Sequence, residues 1–510
     1  MILTRNDMRP HVSGNRPRRY HGGMPTAMTC VTVRQLHPAD QTFQILEAIM
    51  TQHDISSRTE EMPPAQLRRL GDQLVELIAA ALREDRPDDD GDQRNTDPSD
   101  INSQDINSKD WVSLYELAAF HSVEALTWTG MSGTIREQLP EDLAAKWRND
   151  ADLTLFRQLA YDADRESILA DFRNAGLSWL PLKGIVTATY YPQPGLRSMG
   201  DQDLVFGFTQ YDDALGAWRF RGNNADERQA KEIEASDLAK SIMEAHGYHK
   251  RTEWERELSY VRGGLHFELH RCIVTDTERS QGYYDDAMNR YYANPWQLAI
   301  PDDEGSGNSE DGHAGGFHFR PDDEYVFHIA HMMKHYRSSG FGLRFLADEA
   351  VFCRRFSGTG DGNTGERFDW DYIHAELRKL ELDQFETMVR SLSLALFDHP
   401  RDWRRHVGPS ERQLFAEIIE SGVYGTKRNG ATKSFDRQRQ AAQREGRRTR
   451  VGLIYGWRRI YPPRSWVEQH FPEWAGTWWK RALLPLYRVA RGLRRHPKDL
   501  LFELKLILRK

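Results

Sequence analysis

Residues 180–206 read LPLKGIVTATYYPQPGLRSMGDQDLVF, and they decide the fold because a strand, a tight turn and a carboxylate pair follow one another there. The apolar residues 179–182 predict a short buried strand. Lys183 and Gly184 come next, and a glycine lets a tight turn bring the backbone close to a ligand. Residues 185–191 then predict one short helix, which two prolines end.

The second half of this stretch brings two carboxylates together. Asp201 and Asp203 follow Gly200 and run directly into the apolar residues 204–206. Because side chains alternate along a strand, both aspartates are expected on the same face. Two carboxylates at that separation repel each other unless a cation lies between them. The pair predicts a divalent-metal site, although an isolated Asp-x-Asp is most often a solvated strand end or turn.

A strand further along the chain supplies a third acid. In residues 265–270, LHFELH, the apolar side chains face one side and Glu268 the other. A glycine pair precedes this strand and predicts a hairpin with residues 258–261. A third carboxylate beside the first two would complete a two-metal site for phosphoryl chemistry.

The order of these motifs, a glycine turn, then Asp-x-Asp, then an acid on a later strand, resembles the polymerase-beta-type nucleotidyltransferase superfamily. Within it, LKG…YPQPGLRSMGDQDLVF followed by HFELH resembles the bacterial family usually labelled uncharacterised nucleotidyltransferase. Residues 327–350, FHIAHMMKHYRSSGFGLRFLADEA, resemble the helical region of that family. The resemblance covers about residues 111–352 and implies an α+β fold, with a small mixed sheet embedded in a largely helical chain.

The resemblance also implies the reaction. A nucleoside monophosphate would pass from a nucleoside triphosphate to an acceptor hydroxyl on a protein, a sugar or an RNA. Asp201 and Asp203 would hold two Mg²⁺ or Mn²⁺ ions, and Glu268 would contact the ion on the acceptor side and take the acceptor's proton.

Nucleotide binding is assigned to four residues around the turn. The backbone of Gly184 and Gly200 would approach the nucleotide, while Lys183 and Arg197 would neutralise phosphate charge. The alternative is that these two cations form salt bridges with the site's own acids. The turn departs from the Gly-Gly or Gly-Ser of the superfamily, because Ile185 follows Gly184. That departure favours the rival function, a non-catalytic nucleotide-binding or assembly protein on the same scaffold.

Three histidines form a second candidate site. A proline and three acids at 321–324 predict the start of a helix on which His328, His331 and His335 share one face. Three such histidines suggest a His-based metal phosphohydrolase, but one helix rarely supplies three ligands across two turns. We predict instead that at least one of them faces the cleft opposite Asp201, and that the residues able to line this cleft are His270, His328, His331 and His335.

Helical periodicity organises the rest of the chain. Residues 153–175 predict a helix with its apolar side chains inward, and residues 211–247 are interpreted as mainly helical. We divide the chain into a disordered N-terminus (1–29), a helical segment with an acidic linker (30–110), a nucleotidyltransferase core with leading helices (111–300), a helical domain (320–400) and a basic, tryptophan-rich helical region (401–510).

Composition excludes several classes of protein. The net charge of −7 argues against a general nucleic-acid binder, which would be basic. Three cysteines without a CxxC pair argue against a disulfide framework or a thiolate zinc site. No apolar run reaches the length of a membrane span, and the N-terminus does not read as a signal peptide. A cytoplasmic protein is the expectation.

The C-terminal region differs in charge from the rest. Residues 431–510 carry 20 Lys and Arg against six Asp and Glu, and five tryptophans are interleaved with them. Such a segment can make weak peripheral contact with a membrane or bind a polyanion. It can equally form a helical cap with its tryptophans buried, and the cap is the interpretation we favour.

Overall fold

A computed structural model describes residues 62–83, 108–254, 257–274, 294–302, 312–356, 367–444 and 476–495, together with positions 461, 467, 474, 502 and 505. The predicted N-terminal disorder, most of the acidic linker, and two of the five C-terminal tryptophans lie outside the described residues. The α+β prediction is confirmed, because one small mixed sheet is surrounded by helices.

Nine strands form one main sheet and two small ones. They are β1 (Ser178–Pro181), β2 (Gln202–Gly207), β3 (Thr209–Asp212), β4 (Ala217–Phe220), β5 (His249–Glu253), β6 (Glu257–Arg262), β7 (Leu265–His270), β8 (Ala299–Pro301) and β9 (Phe317–Phe319) among the described residues. The main sheet has the order β1-β2-β7-β6-β5, and only the β2–β7 pair is parallel. The predicted β6–β7 hairpin is confirmed, and Gly263 and Gly264 turn it with φ of 53° and 86°.

Helices cover the sheet and build a second layer. The described ones are α1 (Pro64–Ala81), α2 (Ser108–His121), α3 (Glu124–Gly130), α4 (Gly133–Glu137), α5 (Glu141–Asn174), α6 (Gly184–Thr187), α7 (Ala225–Ala245), α8 (Pro321–Ser338), α9 (Leu343–Phe356), α10 (Trp370–Lys379), α11 (Asp383–Asp398), α12 (Pro409–Ser421), α13 (Lys427–Arg444) and α14 (Trp478–Arg495). Proline opens α8 as predicted, and the glycines at 340 and 342 separate it from α9.

Two hydrophobic cores meet at the β1–β2 side of the main sheet. In the smaller core, α5 and α7 pack on the sheet around Tyr161, Phe172 and Phe267. The larger core joins α1–α4 to the helices that follow β9. The sheet therefore presents the start of β2 to the helical layer of α8 and α9, and the candidate site lies between them.

Three expectations about burial or secondary structure were wrong. Leu155 and Leu159 on α5 are exposed rather than inward, because this 34-residue helix spans ~51 Å and its middle turns extend beyond the core. Residues 209–220 form the β3–β4 hairpin rather than a helix, because Trp218 packs its ring against Phe317.

The cap hypothesis, with its tryptophans buried, is also wrong for helix α14. Trp478 is 82% exposed and Trp479 is 48% exposed. The buried residues of this helix are Leu484 and Pro485. None of the described helices is long and apolar enough to cross a membrane.

Candidate active site

The parallel pair β2–β7 brings the three predicted acids together. The register places Asp203 beside Glu268, and Asp201 lies two residues before Asp203 at the start of the strand. One ligand atom from each of Asp201, Glu268 and His266 lies within 4.8 Å of the others. The same holds for Asp203, Glu268 and His270. The two strands thus gather three carboxylates and two imidazoles around the start of β2.

Burial and mutual repulsion raise the pKa values of two of these acids. Burial, followed by the charge of Asp203, raises the pKa of Asp201 to about 6. Burial raises the pKa of Glu268 to about 8, and the charges of Asp203 and Asp201 add to the effect. Hard divalent cations prefer oxygen ligands such as these carboxylates. A bound cation would also favour their ionised form.

Asp203 differs from its two neighbours. Burial alone would raise its pKa, but the charge of Lys183 and the hydrogen bond from His270 outweigh burial and lower the pKa below the ordinary range. Lys183 Nζ lies 2.6 Å from Asp203 Oδ1, and His270 Nε2 lies 2.7 Å from the same oxygen. The salt bridge that the sequence left as an alternative is therefore the one Lys183 makes.

His270 lies inside the sheet and not in the cleft where it was predicted. It is 2% exposed, and it lies behind Asp203 instead of lining the cleft. The β2–β7 register explains this, because it pairs His270 with Val205 in the middle of β2. Its position indicates that it supports Asp203 from within the sheet.

The turn after β1 is strained at Lys183 rather than at the glycine. Lys183 has φ of 54°, a conformation that residues with a Cβ rarely adopt, whereas Gly184 begins α6. A Cβ on Gly184 would lie 2.5 Å from Arg197 Nη1, so the glycine lets Arg197 pack against the turn. The strained backbone directs Lys183 toward Asp203.

Arg197 pairs with an acid that the sequence did not reveal. Its Nε and Nη2 lie 2.8 Å and 2.9 Å from Asp348 Oδ1 and Oδ2, and Tyr191 donates a hydrogen bond of 2.8 Å to the same carboxylate. All three side chains are buried. Asp348 already balances the charge of Arg197, so this residue ties the loop before β2 to α9.

A cavity of about 190 Å³ separates the carboxylates from α8 and α9. Asp201, Asp203 and Gly200 line one side. The facing helices contribute donors and cations, namely His328, His331, Lys334, His335 and Arg344. The predicted position of the three histidines opposite Asp201 is present in the structure. Sequence reasoning missed Lys334 and Arg344, although Lys334 lies between two of the predicted histidines in HMMKH.

Two histidines of α8, His331 and His335, are neutral donors. Burial, followed by the charges of Lys334 and Lys183, lowers the pKa of His335 to about 3. Burial and the neighbouring His335 ring lower the pKa of His331 well below its ordinary value. The two Nε2 atoms lie 3.1 Å apart. Within the described ranges, no group of three metal-binding side chains includes a histidine of α8, so the phosphohydrolase hypothesis lacks its ligand set.

Hydrogen bonds hold the loop that precedes β2. The Tyr161 hydroxyl donates to the Gly200 carbonyl at 3.0 Å and accepts from the backbone N–H of His266 at 2.9 Å. Arg344 donates to the Ser198 carbonyl at 3.1 Å and to the Tyr424 hydroxyl at 3.2 Å. These bonds fix Asp201 relative to β7 and to α9.

The comparison with protein families agrees with this geometry. Residues 107–398, more than half of the chain, match the model described as "Uncharacterised nucleotidyltransferase". The chain belongs to this nucleotidyltransferase family. The match is longer than the resemblance in the sequence, and it includes α10 and α11. No curated protein and no solved structure matches the chain significantly.

Proposed function

We propose that this member of the nucleotidyltransferase family transfers a nucleoside monophosphate from a nucleoside triphosphate to an acceptor hydroxyl, with Mg²⁺ or Mn²⁺. The observation that carries the proposal is the convergence of Asp201, Asp203 and Glu268 beside a cavity whose opposite wall supplies hydrogen-bond donors and cations. A polyphosphate with divalent ions complements both walls, because its oxygens face the cations and its ions face the carboxylates.

The three acids fit a two-ion site. Asp201 and Asp203 would hold both ions and Glu268 the ion on the acceptor side, which suits the shared β2–β7 register. When bound, the ions polarise the phosphate and lower the pKa of the attacking hydroxyl. Glu268 would take the acceptor's proton once ions beside it favour its ionised form, because a pKa of about 8 leaves the carboxyl mostly protonated at neutral pH without them.

Lys183 has two partners in this proposal. Its ammonium lies against Asp203 Oδ1 and supplies the positive charge that the acids need when no ion is bound. An ion at Asp203 would compete for that oxygen, and Lys183 would then be free to bind a phosphate in the cavity that it lines. The residue thus stabilises the carboxylates before metal binding and the substrate after it.

The helical wall binds the triphosphate. His331 and His335 are neutral and donate through their ring N–H groups to phosphate oxygens without competing for the ions. Lys334 and Arg344 add positive charge from the same wall. Arg197 is assigned to positioning only, because Asp348 already binds its guanidinium.

Transfer of label from an α-phosphate-labelled nucleoside triphosphate tests the proposal. The protein, Mg²⁺ and cell extract are expected to yield one labelled fraction, of protein, sugar or RNA. Asp203→Asn should abolish labelling, whereas Asp213→Asn, on the exposed β3–β4 turn, should leave it unchanged. A triphosphate that raises the melting temperature together with Mg²⁺ but transfers no label would favour the non-catalytic rival instead.

A further inference from the structure

The helix α14 exposes a continuous apolar face. Six large apolar side chains are exposed on it: Trp478, Trp479, Leu483, Leu486, Tyr487 and Val489. Trp478 and Leu486 are 82% and 69% exposed, so each loses little contact with water in this structure. Isolated apolar side chains are normal on a protein surface, but a cluster of this size marks an interaction site.

Charge and apolar character occupy different sides of this helix. At ~100° per residue, the six apolar side chains fall within an arc of about 180°. The cations Lys480, Arg481 and Arg488 fall within about 100°, centred on the opposite side, whereas Arg494 falls inside the apolar arc near its Tyr487 edge. No acid occurs between residues 478 and 495. The segment therefore has a large apolar face bordered only by positive charge.

The orientation of α14 leaves the apolar face directed outward. Leu484 and Pro485 are the buried residues of the helix. Leu484 lies opposite the centre of the apolar arc, and Pro485 lies beside its Trp478 edge. At the other edge, the Tyr487 ring packs against Trp474, with 4.9 Å between the ring centroids. The rest of the apolar arc is exposed to a flat partner.

We propose that α14 binds the surface of an anionic phospholipid bilayer and lies parallel to it, with its apolar arc among the acyl chains. Helices of this composition bind membranes by apolar burial combined with attraction of Lys and Arg to anionic lipids. Tryptophan side chains favour the boundary between headgroups and acyl chains. Trp478 and Trp479 are the first two residues of the helix.

Charge complementarity selects the bilayer over other partners. An RNA would contact the cations but leave the leucines and the valine of the apolar arc in water. A second copy of the chain would cover the apolar arcs but bring the cationic borders of both helices close together. An anionic bilayer satisfies both features at once. The charge of −21 on residues 1–430, against +14 on residues 431–510, also repels the rest of the protein from such a surface.

Flotation of the full-length protein with vesicles tests this proposal. We expect binding to phosphatidylcholine vesicles that contain about one third phosphatidylglycerol, and weak or no binding to pure phosphatidylcholine. Raising the salt from about 0.1 M to about 0.5 M should weaken the binding, because exposed charges are screened. Leu486→Glu should weaken it by about tenfold or more, because it removes apolar burial and adds a repelled charge.

Leu215→Glu is the matched control. Leu215 is 65% exposed, close to the value for Leu486, but it lies on the β3–β4 turn. This variant should bind vesicles as the unmodified protein does.

Equal binding to neutral and anionic vesicles, or unchanged binding of Leu486→Glu, would overturn the proposal. Retention of RNA that is lost in Lys480→Glu and kept in Leu486→Glu, without vesicle binding, would assign the helix to nucleic acid. A dimer that Leu486→Glu dissociates, without vesicle binding, would assign it to self-association.

Discussion

Carboxylates are buried in two regions of this protein, and the regions differ in the counter-charges beside them. On the helical side, Asp348 and Glu386 lie against guanidinium groups that the protein itself provides. At the edge of the sheet, Asp201, Asp203 and Glu268 share one nearby ammonium and the His270 ring. The first region is complete without a ligand, whereas the second has more acids than counter-charges. Bound divalent cations would offset that imbalance, which supports the proposed metal site.

On the helical side, each buried acid that stabilises the fold has a partner within the protein. Arg197 binds Asp348 with two hydrogen bonds, and Arg390 binds Glu386 at 2.5 Å. The Tyr325 hydroxyl lies 2.6 Å from Glu349 and 3.0 Å from Glu386. The charge of Arg197 lowers the pKa of Asp348 in spite of burial, whereas the pKa of Glu268 is raised. A cationic partner therefore decides the direction of the shift, as it also does for Asp203 beside Lys183.

Asp348→Asn should have the largest effect on stability. It leaves the Arg197 guanidinium buried without its partner, and breaking such a pair costs roughly 3–5 kcal/mol of the free energy of unfolding. Urea denaturation measures this loss. Glu234→Gln, which breaks the exposed pair with Lys231, is the control and should change stability little. Equal effects of the two variants would show that the Arg197–Asp348 bridge is not structural.

Lys183→Met tests the ammonium at the sheet edge. We expect the metal-free variant to lose about 2 kcal/mol of stability, because Asp203 loses its charged partner. Mg²⁺ should raise the melting temperature of this variant more than that of the unmodified protein, because no ammonium competes for Asp203. Lys334→Met removes a cation from the other wall of the same cavity and is the control. The same Mg²⁺ effect in all three proteins would contradict the competition.

Glu268→Gln should stabilise the metal-free protein at high pH. Because the pKa of Glu268 is raised from 4.5 to about 8 by folding, the folded protein keeps a proton that the unfolded chain releases between these values. Stability therefore falls as the pH rises through this window, and the glutamine removes the loss. We expect a gain of about 2 kcal/mol above pH 8 and little change below pH 4.5, measured by urea denaturation.

Glu324→Gln is the matched control for this experiment. Burial also raises the pKa of Glu324 to about 8, and this residue lines the same cavity near Tyr190. Its substitution should show the same pH trend. Mg²⁺ should abolish the difference between Glu268→Gln and the unmodified protein, because the ion neutralises Glu268, but it should not affect the Glu324→Gln difference. A Mg²⁺ response in both variants would argue against a specific site.

His331→Ala should have the smallest effect, on substrate binding alone. Losing one hydrogen bond to a charged phosphate is expected to raise the KM for the triphosphate about tenfold. The Mg²⁺ concentration required for half-maximal activity should not change, because hard cations prefer oxygen ligands. Bound zinc that disappears in His331→Ala would contradict this role and restore the phosphohydrolase hypothesis.

The sequence predicted the carboxylates of β2 and β7 better than the ion pairs of the helical side. The reason is that the first depend on residues close together in the chain. Asp201 and Asp203 share a face because strand residues alternate, and an apolar strand carrying Glu268 follows within the same fold unit. The glycine pair before β7 predicted its hairpin for a similarly local reason. Such patterns depend on residues that are neighbours in the chain.

The errors depend on contacts between distant residues. The Arg197–Asp348 bridge joins positions 151 residues apart, and no pattern around either residue indicates the other. The exposure of Leu155 depends on where the core beneath α5 ends, and the β3–β4 hairpin depends on the packing of Trp218 against Phe317. These features are set by tertiary packing rather than by local preference.

Binding of Mn²⁺ tests the central claim most directly, because the ion is paramagnetic and its free and bound forms are counted by electron paramagnetic resonance. With a non-hydrolysable nucleoside triphosphate present, the unmodified protein should hold two Mn²⁺ ions in its site, including the one that the nucleotide brings. Asp203→Asn should lose this binding, while Asp348→Asn that remains folded should retain part of it. Equal Mn²⁺ binding by the unmodified protein and Asp203→Asn would contradict a metal site built from the carboxylates of β2 and β7.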